Sequence, residues 1–417
     1  MSVSQARLCL FVGRGSALFA RQPNFVVSTT VEGHRHLTTH PQYKKPYPYE
    51  RRRFGFFNAL LDYTVARINE NSRILMIEGP PCVGKTEFAK KVADAFQLKY
   101  MPAITEEDLF IRNGFDRREL NNMMPTEKMR CYDLDMFYAE PDPKNMMYFG
   151  ATQVDFFKAR YYQYVDALKH LLHTGQGVVL ENSVWSDACY ALNMADHGYF
   201  SKQGIRWFMD YRKNVLNFLW KPHLVIHLDA PSSLTVKNMK EKHPQYEHSP
   251  VLRESYFDGL REKFQKFYIP YMEKHCDTLY YDVTNMEDFD LLAMDLEGMD
   301  LISARFGESF KFANWRKDKE EQWSMYRVNV SDPTTVENNL NWRGPWNVPE
   351  LSMSGEELAQ LQEIEEKIPQ LRYADQYWYD KAGNFTPRPE LGEHGPLSLA
   401  RDVPECNQGV GAKQISA

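Results

Sequence analysis

The stretch that most constrains how this chain can fold is Arg73-Ile-Leu-Met-Ile-Glu-Gly-Pro-Pro-Cys-Val-Gly-Lys-Thr86. Ile74 to Ile77 is an apolar run of the length of a short buried strand. Gly79-x4-Gly84-Lys85-Thr86 follows at once, and Phe88, Ala89, Val92 and Phe96 then recur at helical spacing. Strand, glycine loop with Lys-Thr, and helix, in that order, predict a phosphate-binding loop. The competing reading, a glycine turn before an ordinary helix, is the weaker one, because the flanking strand and helix that such a loop requires are both present.

The chemistry needs these residue types. Gly79 and Gly84 let the backbone curl so that successive N–H groups converge on an anion. The helix N-terminus adds partial positive charge. Lys85 is expected to reach the outer phosphates, and the Thr86 hydroxyl to be offered to Mg²⁺. Such a loop predicts nucleotide binding, which is a weaker statement than phosphoryl transfer.

Composition narrows the classes. With 417 residues, two or three structural units fit, and 43% hydrophobic with 14% aromatic residues supports a large core. The net charge of -6 and the lack of a basic stripe argue against nucleic acid as partner. No apolar run approaches a membrane span. Cys9, Cys82, Cys131, Cys189, Cys276 and Cys406 lie far apart, so neither a disulfide framework nor a zinc module is expected. Cys82, inside the loop, reads as a small space-filling residue.

Residues 1–35 differ from the rest. Arg7, Arg14 and Arg21 alternate with apolar residues, and no acid precedes Glu32, the pattern of a mitochondrial transit peptide. His34, His36 and His40 follow, and a solvated segment is a simpler account of them than a metal site. Residues 36–72 read as an extended arm and a helix: Pro46 and Pro48 break regular structure, and Phe57, Leu60, Leu61, Val65 and Ile68 then suggest an amphipathic helix.

Within 73–300, helices alternate with apolar strands at Ile74–Ile77, Val178–Leu180, Leu224–Leu228 and Leu279–Val283. Val154, Phe157, Tyr161, Val165, Leu168 and Leu172 predict a long buried helix, capped by Thr152 and ended by Gly175. The fold class expected is α/β: a P-loop, nucleoside-kinase-like parallel sheet with helices on both faces, plus extended N-terminal and C-terminal arms. Residues 301–417 read as an extended partner-binding tail. Its tryptophans, Trp315, Trp323, Trp342, Trp346 and Trp378, suit packing on a partner or on the chain's own core. Ser354-x-x-Glu357 is a capping box before a short helix.

Glu181, at the end of the Val178–Leu180 strand, is placed to reach Mg²⁺ or its waters, because ligands of open α/β sheets bind at the carboxyl ends of strands. Asp133-x-Asp135 reads as a solvated loop pair, and no metal site is assigned. Gln153 reads as a polar residue near the start of the long helix, and a base-recognising role for it is implied only by the family resemblance that follows.

These residues resemble a family. Glu78–Thr86 is similar to the phosphate loop of deoxynucleoside kinases, Glu181-Asn-Ser-Val-Trp-Ser-Asp187 to their Glu-Arg-Ser segment, and Asp135–Pro141 to the stretch before their substrate-side helix. Thr174–Glu181, Pro222–Asp229 and Tyr268–Cys276 resemble a divergent branch, the kinase-like accessory subunits of mitochondrial respiratory complex I. The resemblance covers roughly residues 73 to 290. It implies a structural subunit on the matrix side of the inner membrane, outside electron transfer, with other complex I subunits as partners. A purine nucleotide with Mg²⁺ is the ligand it implies. FAD is associated with this branch, but nothing in these residues argues for it.

The departures count as much. Active members carry a Glu-Pro pair after the first helix, and that Glu is their general base; here the pair is Met101-Pro102. A thioether cannot take up that proton. Glu106, Glu107 and Glu140 stand elsewhere. The Arg of Glu-Arg-Ser is Asn182, and the lid offers Lys237, Lys240, Lys242 and Arg253, of which the lysines lack the planar fork of arginine. Loss of a base costs on the order of a hundred- to ten-thousand-fold in rate. No catalytic residue is therefore assigned, and Gly79, Gly84, Lys85, Thr86 and Glu181 are the binding residues expected. The rival readings are an active mitochondrial deoxynucleoside kinase and a nucleotide-sensing regulator.

Overall fold

The computed structural model describes residues 37–38, 41, 43–50, 53–285, 289–301, 310–341, 348–372, 377–379 and 385–387. The expected transit peptide, His34, His36, His40, Trp342 and Trp346 lie outside the described residues.

Five strands form a parallel sheet: β1 (Ile74–Glu78), β2 (Lys99–Met101), β5 (Val178–Glu181), β6 (Leu224–Asp229) and β7 (Asp277–Asp282), in the order β2-β5-β1-β6-β7. Two antiparallel hairpins complete the strands among the described residues, β3 (Ile111–Arg112) with β4 (Phe115–Asp116), and β8 (Tyr377–Tyr379) with β9 (Phe385–Pro387). Every residue of β1, β5 and β6 is buried, which is why they read as continuous apolar runs rather than alternating ones. The central strand β1 pairs β5 on one side, Ile77 opposite Glu181, and β6 on the other, Glu78 opposite His227. The chain thus runs to both sides of β1, and its carboxyl end is the place where a ligand crevice forms in such sheets.

One core lies on each face. Phe88, Ala89, Val92 and Phe96, from the helix Lys85–Ala95 and its end, pack on Leu75, Ile77, Val179 and Ile226. Phe157, Tyr161, Val165, Leu168 and Leu172 of the helix Phe149–Thr174 pack on the other face. That helix begins before Thr152: Thr152 lies in its first turn, buried, and its hydroxyl donates to the Tyr132 carbonyl at 2.8 Å instead of capping. Gly175 ends it in the left-handed region, φ 80°.

Parts of the arm and of the tail lie on the domain itself. Tyr47 packs edge-on against Phe54, and the Tyr49 hydroxyl meets His170 Nδ1 at 2.7 Å, so this part of the arm lies on the domain itself. Residues 310–341 belong to the domain as well. The helices Glu320–Ser331 and Pro333–Leu340 place Trp323, Tyr326, Val330, Val336 and Leu340 in the main core. Trp220 stacks on Tyr326 with ring centroids 4.0 Å apart and meets Trp315 and Trp323 edge-on. Trp315 and Trp323 therefore pack on their own chain. The capping box forms as expected: Ser354 Oγ accepts from the Glu357 N–H and Glu357 Oε2 accepts from the Ser354 N–H, at 3.2 and 2.8 Å.

The amphipathic helix expected from Phe57 to Ile68 is broken. A helix covers Phe56–Leu61 and a 3-10 turn covers Val65–Arg67. Between them, Glu320 accepts the N–H groups of Thr64 and Val65 at 2.6 and 2.9 Å, and Asp62 is held by Arg67 and by the buried Arg327. These polar anchors outweigh helical continuity. Val65 and Ile68 pack on the core, whereas Phe57, Leu60 and Leu61 face solvent.

Candidate functional site

The loop after β1 needs glycine at both named positions, for different reasons. A Cβ on Gly79 would sit 2.3 Å from the Leu228 carbonyl oxygen, and its φ is +142°. Gly84 has open space around it but φ +86°, a left-handed turn into the helix Lys85–Ala95. Cys82 takes φ 58° between them. Its carbonyl accepts from Asn238 Nδ2 at 3.0 Å and its sulfur lies 3.2 Å from Met239 Sδ, so the helix Ser232–Lys242 packs on the loop.

Lys85 is buried and folds back, donating from Nζ to the carbonyls of Gly79 at 2.6 Å and Pro80 at 2.9 Å. Burial pushes its pKa down to about 8, against the pull of Glu78 and Glu181. The Thr86 hydroxyl donates to Glu181 Oε2 at 2.9 Å, and the Tyr100 hydroxyl donates to Oε1. All five expected binding residues thus meet at the carboxyl ends of β1 and β5. A hydroxyl and a carboxylate side by side fit the donor set of Mg²⁺. Beneath them Glu78 is fully buried, accepts from the Tyr268 hydroxyl at 3.0 Å, and is held above the usual carboxylate range by burial. Tyr268 closes a π-helical stretch, Phe264–Tyr268, where Pro270 has no N–H for the preceding turn.

A second cluster was only partly legible. Asp187 is completely buried and accepts from Gln153 Nε2 at 2.9 Å and from Arg160 Nη1. Burial raises its pKa to about 6 despite the Arg160 charge. Asp187 Oδ2 and Arg160 Nε have no hydrogen-bond partner among the described residues. Gln153 had been singled out. Arg160 was missed, although it stands seven residues on along the same helix, two turns away and hence on the same face. An amide, a guanidinium and a carboxylate in one buried cluster can present donors and acceptors to the edge of a base.

Two of the acidic residues singled out, Glu106 and Glu140, accept backbone N–H groups. Met101 ends β2, buried and paired in register with Leu180. Glu106 accepts from the Leu134 N–H at the start of the helix Leu134–Ala139. Asp133 caps that helix by accepting from the Met136 N–H at 2.8 Å, and Glu140 holds a turn through the Asp142 N–H at 3.0 Å. Asn182 sits at φ 56°, a conformation asparagine tolerates better than most residues. Lys237 lies 3.8 Å from Glu241 in the exposed turns of its own helix. Arg261, outside the residues singled out by sequence, grips Asp229 at the end of β6 through Nε at 2.8 and 3.0 Å.

A parallel sheet with a glycine loop at the end of its central strand, and Lys and Thr opening the next helix, defines a P-loop fold of the kinase type. The chain belongs to the deoxynucleoside kinase family, whose model matches residues 75–303. Its relatives include the mitochondrial NADH dehydrogenase (ubiquinone) 1 alpha subcomplex subunit 10 of Mus musculus, 28% identical over 327 residues, which are 78% of this chain and 86% of that one. The same subunit of Rattus norvegicus is 26% identical over the same shares. Deoxyguanosine kinase of Dictyostelium discoideum is 24% identical over 277 residues, 66% of this chain and 85% of that one.

Proposed function

We propose that this chain is a non-catalytic accessory subunit of mitochondrial respiratory complex I, on the matrix side of the inner membrane, and that it retains a nucleotide site. One observation carries the reading: relatives named as subunits of that NADH dehydrogenase align with 78% of the chain, well beyond the kinase core. The site is consistent with binding without turnover. Phosphates would lie against the loop Gly79–Thr86, with Lys85 swinging from the loop carbonyls to meet them. Bound Mg²⁺ would supply charge neutralisation, and Thr86 and Glu181 would hold it. The position expected for the base is a methionine, and Glu106 is occupied with a helix end. Fractionating a mitochondrial extract by size tests the reading. Co-migration with a very large membrane assembly is expected, and a small soluble peak would overturn it.

The cluster Gln153–Asp187–Arg160 favours a second reading, an active deoxynucleoside kinase, since a base-reading site is of use to a kinase. That reading requires phosphoryl transfer from ATP to a nucleoside by the purified chain, abolished by Lys85→Ala.

A further inference from the structure

The break after Leu61 leaves an apolar surface that the core does not use. Phe56, Phe57, Leu60, Leu61 and Tyr63 are 58, 80, 56, 89 and 60% exposed. The Ser324 hydroxyl meets Thr64 Oγ1 at 3.3 Å behind this stretch. Scattered exposed apolar residues are ordinary, but five within eight residues form a patch.

The patch is held in place. Arg327, fully buried, binds Asp62 Oδ2 at 2.9 Å with its guanidinium 3.7 Å from the Phe54 ring centroid. Arg67 binds Asp62 and also donates to the Lys45 carbonyl at 2.7 Å. That last bond brings the exposed Lys44 and Lys45 to the end of the helix Phe56–Leu61. Neither lysine has an ion-pair partner among the described residues.

We propose that this surface docks onto an anionic bilayer, with Phe57, Leu60 and Leu61 entering the headgroup boundary and Lys44 and Lys45 meeting lipid phosphates. One observation favours a bilayer over another protein. The neighbours of the patch are exposed lysines without an ion-pair partner among the described residues, which protein interfaces avoid and interfacial helices use. The positive charge is local, on a chain whose net charge is -6. Apolar insertion and attraction to acidic lipid act together in such anchors.

Sedimentation of the purified full chain with lipid vesicles tests this. Vesicles of phosphatidylcholine and phosphatidylglycerol, in roughly a three-to-one ratio, provide the anionic surface. The chain should sediment with them and not with phosphatidylcholine alone. Phe57→Ser with Leu61→Ser should reduce binding by about tenfold or more, given the area each side chain would bury. Lys44→Glu with Lys45→Glu should do so at low salt. Circular dichroism should be unchanged, because these side chains are exposed. Absence of vesicle binding, or binding that both double variants retain, overturns the proposal. If vesicles are not bound but the serine variant detaches the chain from its assembly in mitochondrial extract, the patch is a protein interface and the proposal likewise falls. Vesicle binding by the isolated chain does not depend on complex I, so the two readings can fail separately.

Discussion

The hydroxyl of Thr86 donates to Glu181 Oε2 at 2.9 Å, joining the first turn after the glycine loop to the end of the neighbouring strand. The bond closes a site that a divalent ion would open. Glu181→Gln should therefore weaken nucleotide binding in the presence of Mg²⁺ and leave Mg²⁺-free binding nearly unchanged. Titration of a fluorescent nucleotide with and without the metal checks this.

Lys85→Ala removes the only loop cation held at the Gly79 and Pro80 carbonyls among the described residues. A ligand at about a hundred times its Kd adds roughly 2.7 kcal/mol of stability to the fold it binds. That nucleotide-dependent stabilisation should vanish in the variant, read as the loss of a ligand-induced rise in Tm.

Gly79→Ala forces a Cβ to within 2.3 Å of the Leu228 oxygen at a φ that L-residues rarely adopt. Backbone on backbone cannot yield cheaply. A loss of about 2–4 kcal/mol in urea unfolding is expected. A loss under about 0.5 kcal/mol would contradict the packing of the loop on β6.

Acid should destabilise the fold. Burial lowers the pKa of His170 and His227 to about 4 and holds His173 and His223 well below the usual range. A depressed histidine is neutral in the fold and protonated when unfolded, so its contribution is present above pH ~6.5 and lost as pH falls toward ~4. Burial lowers His275 likewise. Asp187, Glu78 and Glu106, raised by burial, act the other way, because their ionised forms are the disfavoured ones. Five histidines outnumber three carboxylates, and urea midpoints should fall between pH 7 and 5. A rise would show that the carboxylates dominate.

Arg327→Met leaves Asp62 with Arg67 alone and removes the cation from the Phe54 face. Asp62 is 24% exposed and keeps Arg67, so the loss is that of a charge-assisted hydrogen bond, about 1.5–3 kcal/mol. The arm from Tyr43 to Leu61 should become the first site of proteolytic nicking, seen by mass spectrometry of early fragments.

The phosphate loop and Glu181 were readable because each depends on neighbours within a few residues: a strand, a glycine loop, a helix start. The buried strands β1, β5 and β6 were readable as apolar runs for the same reason. β2 was not, since three residues carry too little pattern and its strand status rests on pairing with β5. Arg160 was invisible as a partner of Asp187, because nothing local marks two residues that far apart as meeting. Trp315 and Trp323 were ambiguous between partner and core, as an apolar ring looks the same in sequence whichever surface covers it.

Sequence alone determined the glycine loop, the parallel sheet that carries it, and the methionine where the kinase resemblance implies a base, because side-chain chemistry and local backbone freedom are properties of short stretches. Tertiary structure alone decided which apolar residues were left over. Phe57 and Leu61 carry the same helical spacing as core residues. They face solvent because Glu320 and Arg327, more than two hundred residues away, take the backbone and carboxylate groups at which the helix would otherwise have continued.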